Sequence, residues 1–155
     1  MSLLIALALR LARAPWWLRA LPPVLCAVAI WMLSAQPGKE GPSPWWRSCA
    51  HNGAHVVAYG ALGAFTWIAL GAPERGRWAW VAVGLAGVYG VVDELHQWYV
   101  PRRAASVGDV VSDFAGACLC VGLARWWVRG DVAGRRAALW AVPLAVGAVA
   151  YESLG

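Results

Sequence analysis

The chain has 155 residues, 61% of them hydrophobic and only 14% charged, and its mean hydropathy of +0.55 is far above that of an ordinary soluble domain. The formal charge of +5 does not point to nucleic acid, because the basic residues are almost all Arg placed at the ends of apolar runs, where membrane proteins keep them. A soluble domain and a nucleic-acid binder are thereby excluded, and the expected fold class is all-α: a polytopic integral membrane helical bundle of about five transmembrane helices, four at minimum, in one domain.

In chain order, MSLLIALALRLARAPWW is apolar but broken by Arg10 and Arg13 and lacks a small-residue cleavage site. Residues 1–16 are therefore expected to be retained as an interfacial segment. A first span is predicted over about residues 17–33, with Pro22 and Pro23 near its start, where lost backbone donors are easiest to tolerate. The run SAQPGKEGPSPWWRS, rich in Pro, Gly and Ser, reads as an exposed loop. A second span is predicted over about residues 54–70, entered through His51, Asn52 and His55, with His51 in the loop or at the interface.

After the turn GAPERGR, a third span is predicted over about residues 78–99, and its last turns carry Asp93, Glu94, His96 and Gln97 before Pro101 ends the helical ladder. A fourth span, over about residues 106–128, opens on Ser106 as N-cap and holds Asp109 and Asp113 in its first turns. A fifth, about 139–154, is interrupted by Pro143 and Glu152. The twelve Trp residues sit mainly at span ends, as an interfacial belt does. Cys26, Cys49, Cys118 and Cys120 have no CxxC spacing and read as small hydrophobes.

Alternating spans place nine of the thirteen basic residues on the side of Arg10, Arg75 and Arg125, and four, Lys39, Arg47, Arg102 and Arg103, on the other. The richer side is expected to be cytoplasmic, with the N-terminus inside. The stretch DELHQWYVPRRAASVGDVVSDFAG, residues 93–116, then faces the extracytoplasmic side. It holds four of the eight acidic residues of the chain. An ionisable side chain in such greasy surroundings is expensive and marks a functional site.

Helical spacing lets Asp93 share a face with His96 and Gln97, Glu94 with Gln97, and Asp109 with Asp113, while Asn52, His55 and Tyr59 line one face of the second span. The second, third and fourth spans are thus expected to direct polar stripes into one shallow pocket.

The segments AHVVAYGALG, VYGVVDELHQWYVPRR and SVGDVVSDFAGACLCVG, preceded by LSAQPG, resemble in order the VanZ-like family of small bacterial membrane proteins. The resemblance implies a bacterial cytoplasmic-membrane protein associated with reduced sensitivity to the glycopeptide teicoplanin. It also implies motif roles for His55, Asp93, Glu94, His96, Gln97, Arg103 and Asp109, with Gly116 as a packing position. Asn52 stands where the family tends to have Lys, and Asp113 where it tends to have Asn. The added carboxylate makes the pocket more acidic.

Two readings of function remain open. In the first, an envelope enzyme acts on a membrane lipid or lipid-linked anionic substrate, with Glu94 and Asp109 as acid and base, His55 and His96 assisting, and Asp93, Gln97, Arg102, Arg103, Asp113 and Asn52 binding substrate. In the second, a non-catalytic protein alters how a glycopeptide or cell-wall precursor is presented. A transporter is disfavoured, since no polar path continues through the cytoplasmic half. No cofactor is expected; a divalent metal on His55, His96, Glu94, Asp109 or Asp113 is the weaker alternative, because these ligands come from three helices without HExxH-like spacing.

Overall fold

The computed structural model describes residues 3–38 and 44–154, with side chains to Tyr151. Lys39, assigned to the outer side, and the Glu152 side chain, expected to interrupt the last span, lie outside the described residues. Six helices follow one another: α1 (Leu3–Ala12), α2 (Trp16–Ser34), α3 (Trp45–Ala69), α4 (Arg77–Gln97), α5 (Val107–Arg129) and α6 (Val132–Leu154), with no strand among the described residues.

Helices α2, α4, α5 and α6 are each long and apolar enough to cross a membrane. At 25 residues α3 is longer than any of them, reaching about 37 Å at 1.5 Å per residue, and it packs against all four. It is not one of the four, since its first turns carry His51, Asn52 and His55. Helix α1, with ten residues, reaches only about 15 Å and cannot span.

Two helix starts differ from expectation. Helix α3 begins at Trp45 rather than near residue 54, because the breakers end at Pro44, which sits extended at the N-cap position, and nothing in WWRSCAHN resists a helix. Of the polar residues that open this helix, Asn52 is buried on its inward face, while Arg47 and His51 stay exposed. Helix α6 begins at Val132 rather than near residue 139, started by Asp131, whose carboxylate accepts from the Ala133 N–H at 2.9 Å. Arg135 and Arg136 therefore lie on its first turns.

Small residues set how closely the helices approach. A side chain on Gly116 of α5 would run into the backbone carbonyl of Val56 on α3, and a Cβ on Gly60 would stand 2.5 Å from Cys120 Sγ. Helices α5 and α6 meet in the same way at Gly122 and Gly134. Most Trp residues are exposed at span ends, but Trp67 is fully buried in the core beside Leu62, Val83 and Val121.

At the Arg-rich end, Arg129 donates to the Ala72 carbonyl from Nη2 at 2.7 Å and from Nε at 3.1 Å. Arg125 pairs there with Asp131. The turn after α3 is thus pinned to the end of α5, which helps fix the register of these two helices at the opposite, polar end. The four cysteines are free and half-buried.

Because the crossing of α3 and α5 has no room for a methyl group, Gly116→Ala is expected to lower stability by about 1–3 kcal/mol. Gly147→Ala, where a Cβ meets nothing within 4 Å, should leave stability unchanged or raise it slightly by reducing helix-interior flexibility. Thermal unfolding of both variants in detergent checks the contrast; equal losses would remove the close-crossing explanation.

Candidate functional site

Four chain segments converge at one end of the bundle: the C-terminus of α2, the first turns of α3, the last turns of α4 and the first turns of α5. Four carboxylates are buried there, Asp93 at 1%, Glu94 at 3%, Asp109 at 8% and Asp113 at 0% exposure. A buried charge is tolerated only where donors replace water, so their partners define the site.

Asp93 accepts from the Ser34 hydroxyl at 2.5 Å and from the Gln97 amide at 3.3 Å. The first of these bonds ties α2 to α4. Glu94 accepts from the same amide at 3.0 Å and from the Ser106 backbone N–H at 2.8 Å. Ser106 in turn caps α5, its Oγ accepting from the Gly108 and Asp109 N–H groups at 3.0 and 3.3 Å. In a capping box the N–H of the capping residue is taken by a carboxylate one turn into the same helix; Glu94 supplies that carboxylate from the neighbouring helix.

Asp113 lies deeper, with one oxygen 3.0 Å from His55 Nδ1. Gly90 on α4 makes space for it, since a Cβ there would stand 2.6 Å from the second oxygen, Oδ2. That oxygen is buried without a hydrogen-bond partner among the described residues. Among these residues, Asp93, Glu94 and Asp113 pair with no Lys or Arg. The cluster is held by a hydroxyl, an amide, a backbone N–H and an imidazole.

A cavity of about 380 Å³ opens beside this network. Ile30, Leu33, Ala54 and Ala58 form an apolar wall, and His51, His55, Tyr59, Asp93, Gln97 and Arg103 supply polar groups. Arg103 is positioned by its Nε, which donates to the Gln36 carbonyl at 3.2 Å, while Nη1 lies 3.2 Å from His51 Nε2 and 3.4 Å from Gln97 Oε1. The turn that presents it contains Arg102 in the left-handed region at φ +62°. Gly38 closes on this turn, donating to the Pro101 carbonyl at 3.1 Å.

The residues expected at the site are distributed unequally. His55, Asp93, Gln97 and Arg103 line the cavity. Glu94, Asp109 and Asp113 are buried and do not line it, and Asn52 is buried on the first turns of α3. His96 turns away and stacks on Trp31 of α2, with ring centroids 3.9 Å apart. Arg102 is exposed beside the site.

Ser34, Gln36 and the wall of α2 were missed as site residues: the first span contributes to the cavity, whereas the second, third and fourth were expected to suffice. Their only sequence signal was LSAQPG. His51, expected in a loop or at the interface, belongs to α3 one turn before His55, and the two rings meet edge to face at 5.1 Å.

Fold and site define a multi-pass helical membrane protein with a buried acidic network beside an amphiphilic cavity. The family model for VanZ/LLP1 matches residues 8–128, and the chain belongs to that family. Comparison with curated proteins and with solved structures gives no match.

Glu94→Leu is expected to cost about 1.5–3 kcal/mol, the loss of a hydrogen bond to a charged acceptor, and to speed amide exchange at the start of α5. Glu94→Gln, which keeps a carbonyl acceptor for the Ser106 N–H, should lose less. Hydrogen exchange of residues 106–110 checks this, and unchanged protection in Glu94→Leu would show that Glu94 does not cap the helix.

Proposed function

We propose that this chain is a cytoplasmic-membrane protein of bacteria whose cavity faces the extracytoplasmic side and holds a cell-envelope lipid or lipid-linked precursor with an anionic headgroup. The observation that carries the reading is the combination of an apolar wall and a fixed guanidinium in one cavity. Ile30, Leu33, Ala54 and Ala58 suit a hydrocarbon segment, and Arg103 with His51 suits a phosphate, which an Arg fork binds well. The orientation rests on the nine-to-four distribution of basic residues. Reduced glycopeptide sensitivity would follow from altered presentation of the held precursor.

A catalytic version of this reading is favoured by one specific contact. His55 lines the cavity and its Nδ1 is held by Asp113 at 3.0 Å, the arrangement of a general base oriented by a carboxylate. Glu94 and Asp109, the acid and base expected from the sequence, do not line the cavity, and this version gives proton transfer at a bound headgroup to His55, with Asp113 as its positioning residue.

In nanodiscs, wild-type protein should retain a phosphatidylglycerol that Arg103→Ala loses at least tenfold more readily, measured by native mass spectrometry, with phosphatidylcholine bound weakly by both. Equal retention of both lipids by both proteins would overturn the anion site. Teicoplanin sensitivity of cells expressing His55→Gln separates the versions: full wild-type protection leaves binding alone, and loss with normal lipid retention supports chemistry. Separately, Ala104→Cys, in a background cleared of native cysteines, should react with a membrane-impermeant thiol reagent in intact cells, and protection would reverse the orientation.

A further inference from the structure

The first turns of α3 and α5 bring together a ligand set that neither helix holds alone. One ring nitrogen each of His51 and His55 and one carboxylate oxygen of Asp109 lie within 4.8 Å of one another. His51 and His55 are four residues apart on α3, the spacing at which two imidazoles on one helix face bind a single metal. Asp109 arrives from α5 at its third residue. Zinc with imidazole and carboxylate ligands has bonds of about 2.0–2.2 Å, which places ligand atoms about 3.4 Å apart in a tetrahedron. His51 is the exposed member of the set, with His55 largely buried and Asp109 buried, so approach to that separation falls mainly to rotation of the His51 side chain.

Three further features belong with such a site. Asp113 accepts at His55 Nδ1, as outer carboxylates do behind metal-bound histidines, where they fix the ring and leave the other nitrogen for the metal. The second oxygen of Asp113 is buried and unpartnered among the described residues, and with Asp93 and Glu94 it makes the surroundings electronegative without a paired Lys or Arg. His51 and His55 both face the cavity, so a metal held by three protein ligands would keep a fourth position open toward it, the pattern of a catalytic rather than a structural zinc.

We propose that His51, His55 and Asp109 bind one divalent transition metal ion, Zn²⁺ in the first instance, with Asp113 positioning His55. The site shares its cavity with the lipid reading but does not depend on it. Arg103, 3.2 Å from His51 Nε2, is a neighbouring cation that opposes metal binding, so its removal should tighten the site.

The test uses the full chain in detergent micelles, stripped with a chelator and titrated with Zn²⁺ or Co²⁺ salts. Wild-type protein is expected to hold one zinc per chain by elemental analysis and to give visible ligand-field bands with Co²⁺. His51→Asn and Asp109→Asn should each abolish tight binding, Asp113→Asn should weaken it about 10–100-fold, and Arg103→Ala should strengthen it. His96→Asn, which alters only the ring stacked on Trp31, should bind as wild type.

His51 is exposed at the rim, so its variant keeps the fold and the test decisive even if Asp109→Asn does not fold. Wild-type protein without stoichiometric metal, or His51→Asn with wild-type affinity, overturns the proposal. Lipid retention without zinc removes the metal site and leaves the lipid reading intact, and zinc without lipid retention upholds the site alone.

Discussion

The contact between His55 and Asp113 depends on two helices approaching nearly backbone to backbone. Gly116 of α5 lies against the Val56 carbonyl of α3, one residue beyond His55, and Gly60 one turn later faces Cys120. Membrane helices gain nothing from hiding apolar surface from lipid, so close packing of small residues and interhelical hydrogen bonds have to hold them together. Here the two act at the same place. The glycines permit the approach, and the buried carboxylates supply the bonds.

The acidic network also explains why the four converging segments form one unit. Each carboxylate in a low-dielectric interior costs several kcal/mol unless its oxygens are met. Asp93 is met from α2, Glu94 from the start of α5 and Asp113 from α3. No one of these segments could move away without leaving a charge stranded. A cavity bordered by such a network has rigid polar walls, which suits it to positioning a headgroup or an ion, and its apolar side is furnished by residues that would otherwise simply face lipid.

Several features of the site were legible in the residues alone. Asp93, Glu94, Asp109 and Asp113 stood out because charge is scarce in this chain, and i, i+4 spacing correctly placed Tyr59 on the His55 face. The start of α3 was not legible, because the polar WWRSCAHN segment satisfies a loop reading as well as a helix that buries Asn52 and leaves Arg47 and His51 exposed. That ambiguity concealed the His51 and His55 pair. His96 had the same helical credentials as Gln97, yet the two separate, because Trp31 of another helix offers the ring a stacking surface.

By itself the sequence determined the all-α membrane class, the family and the end of the bundle at which the polar residues collect. These follow from hydropathy, helical period and motif order, which are properties of single segments. Only the tertiary structure decided which polar residues face the cavity, that Glu94 caps a neighbouring helix, and that α2 supplies a wall. Those outcomes depend on how α3 is rotated and how near α5 can come to it, and both are set by contacts between residues far apart in the chain.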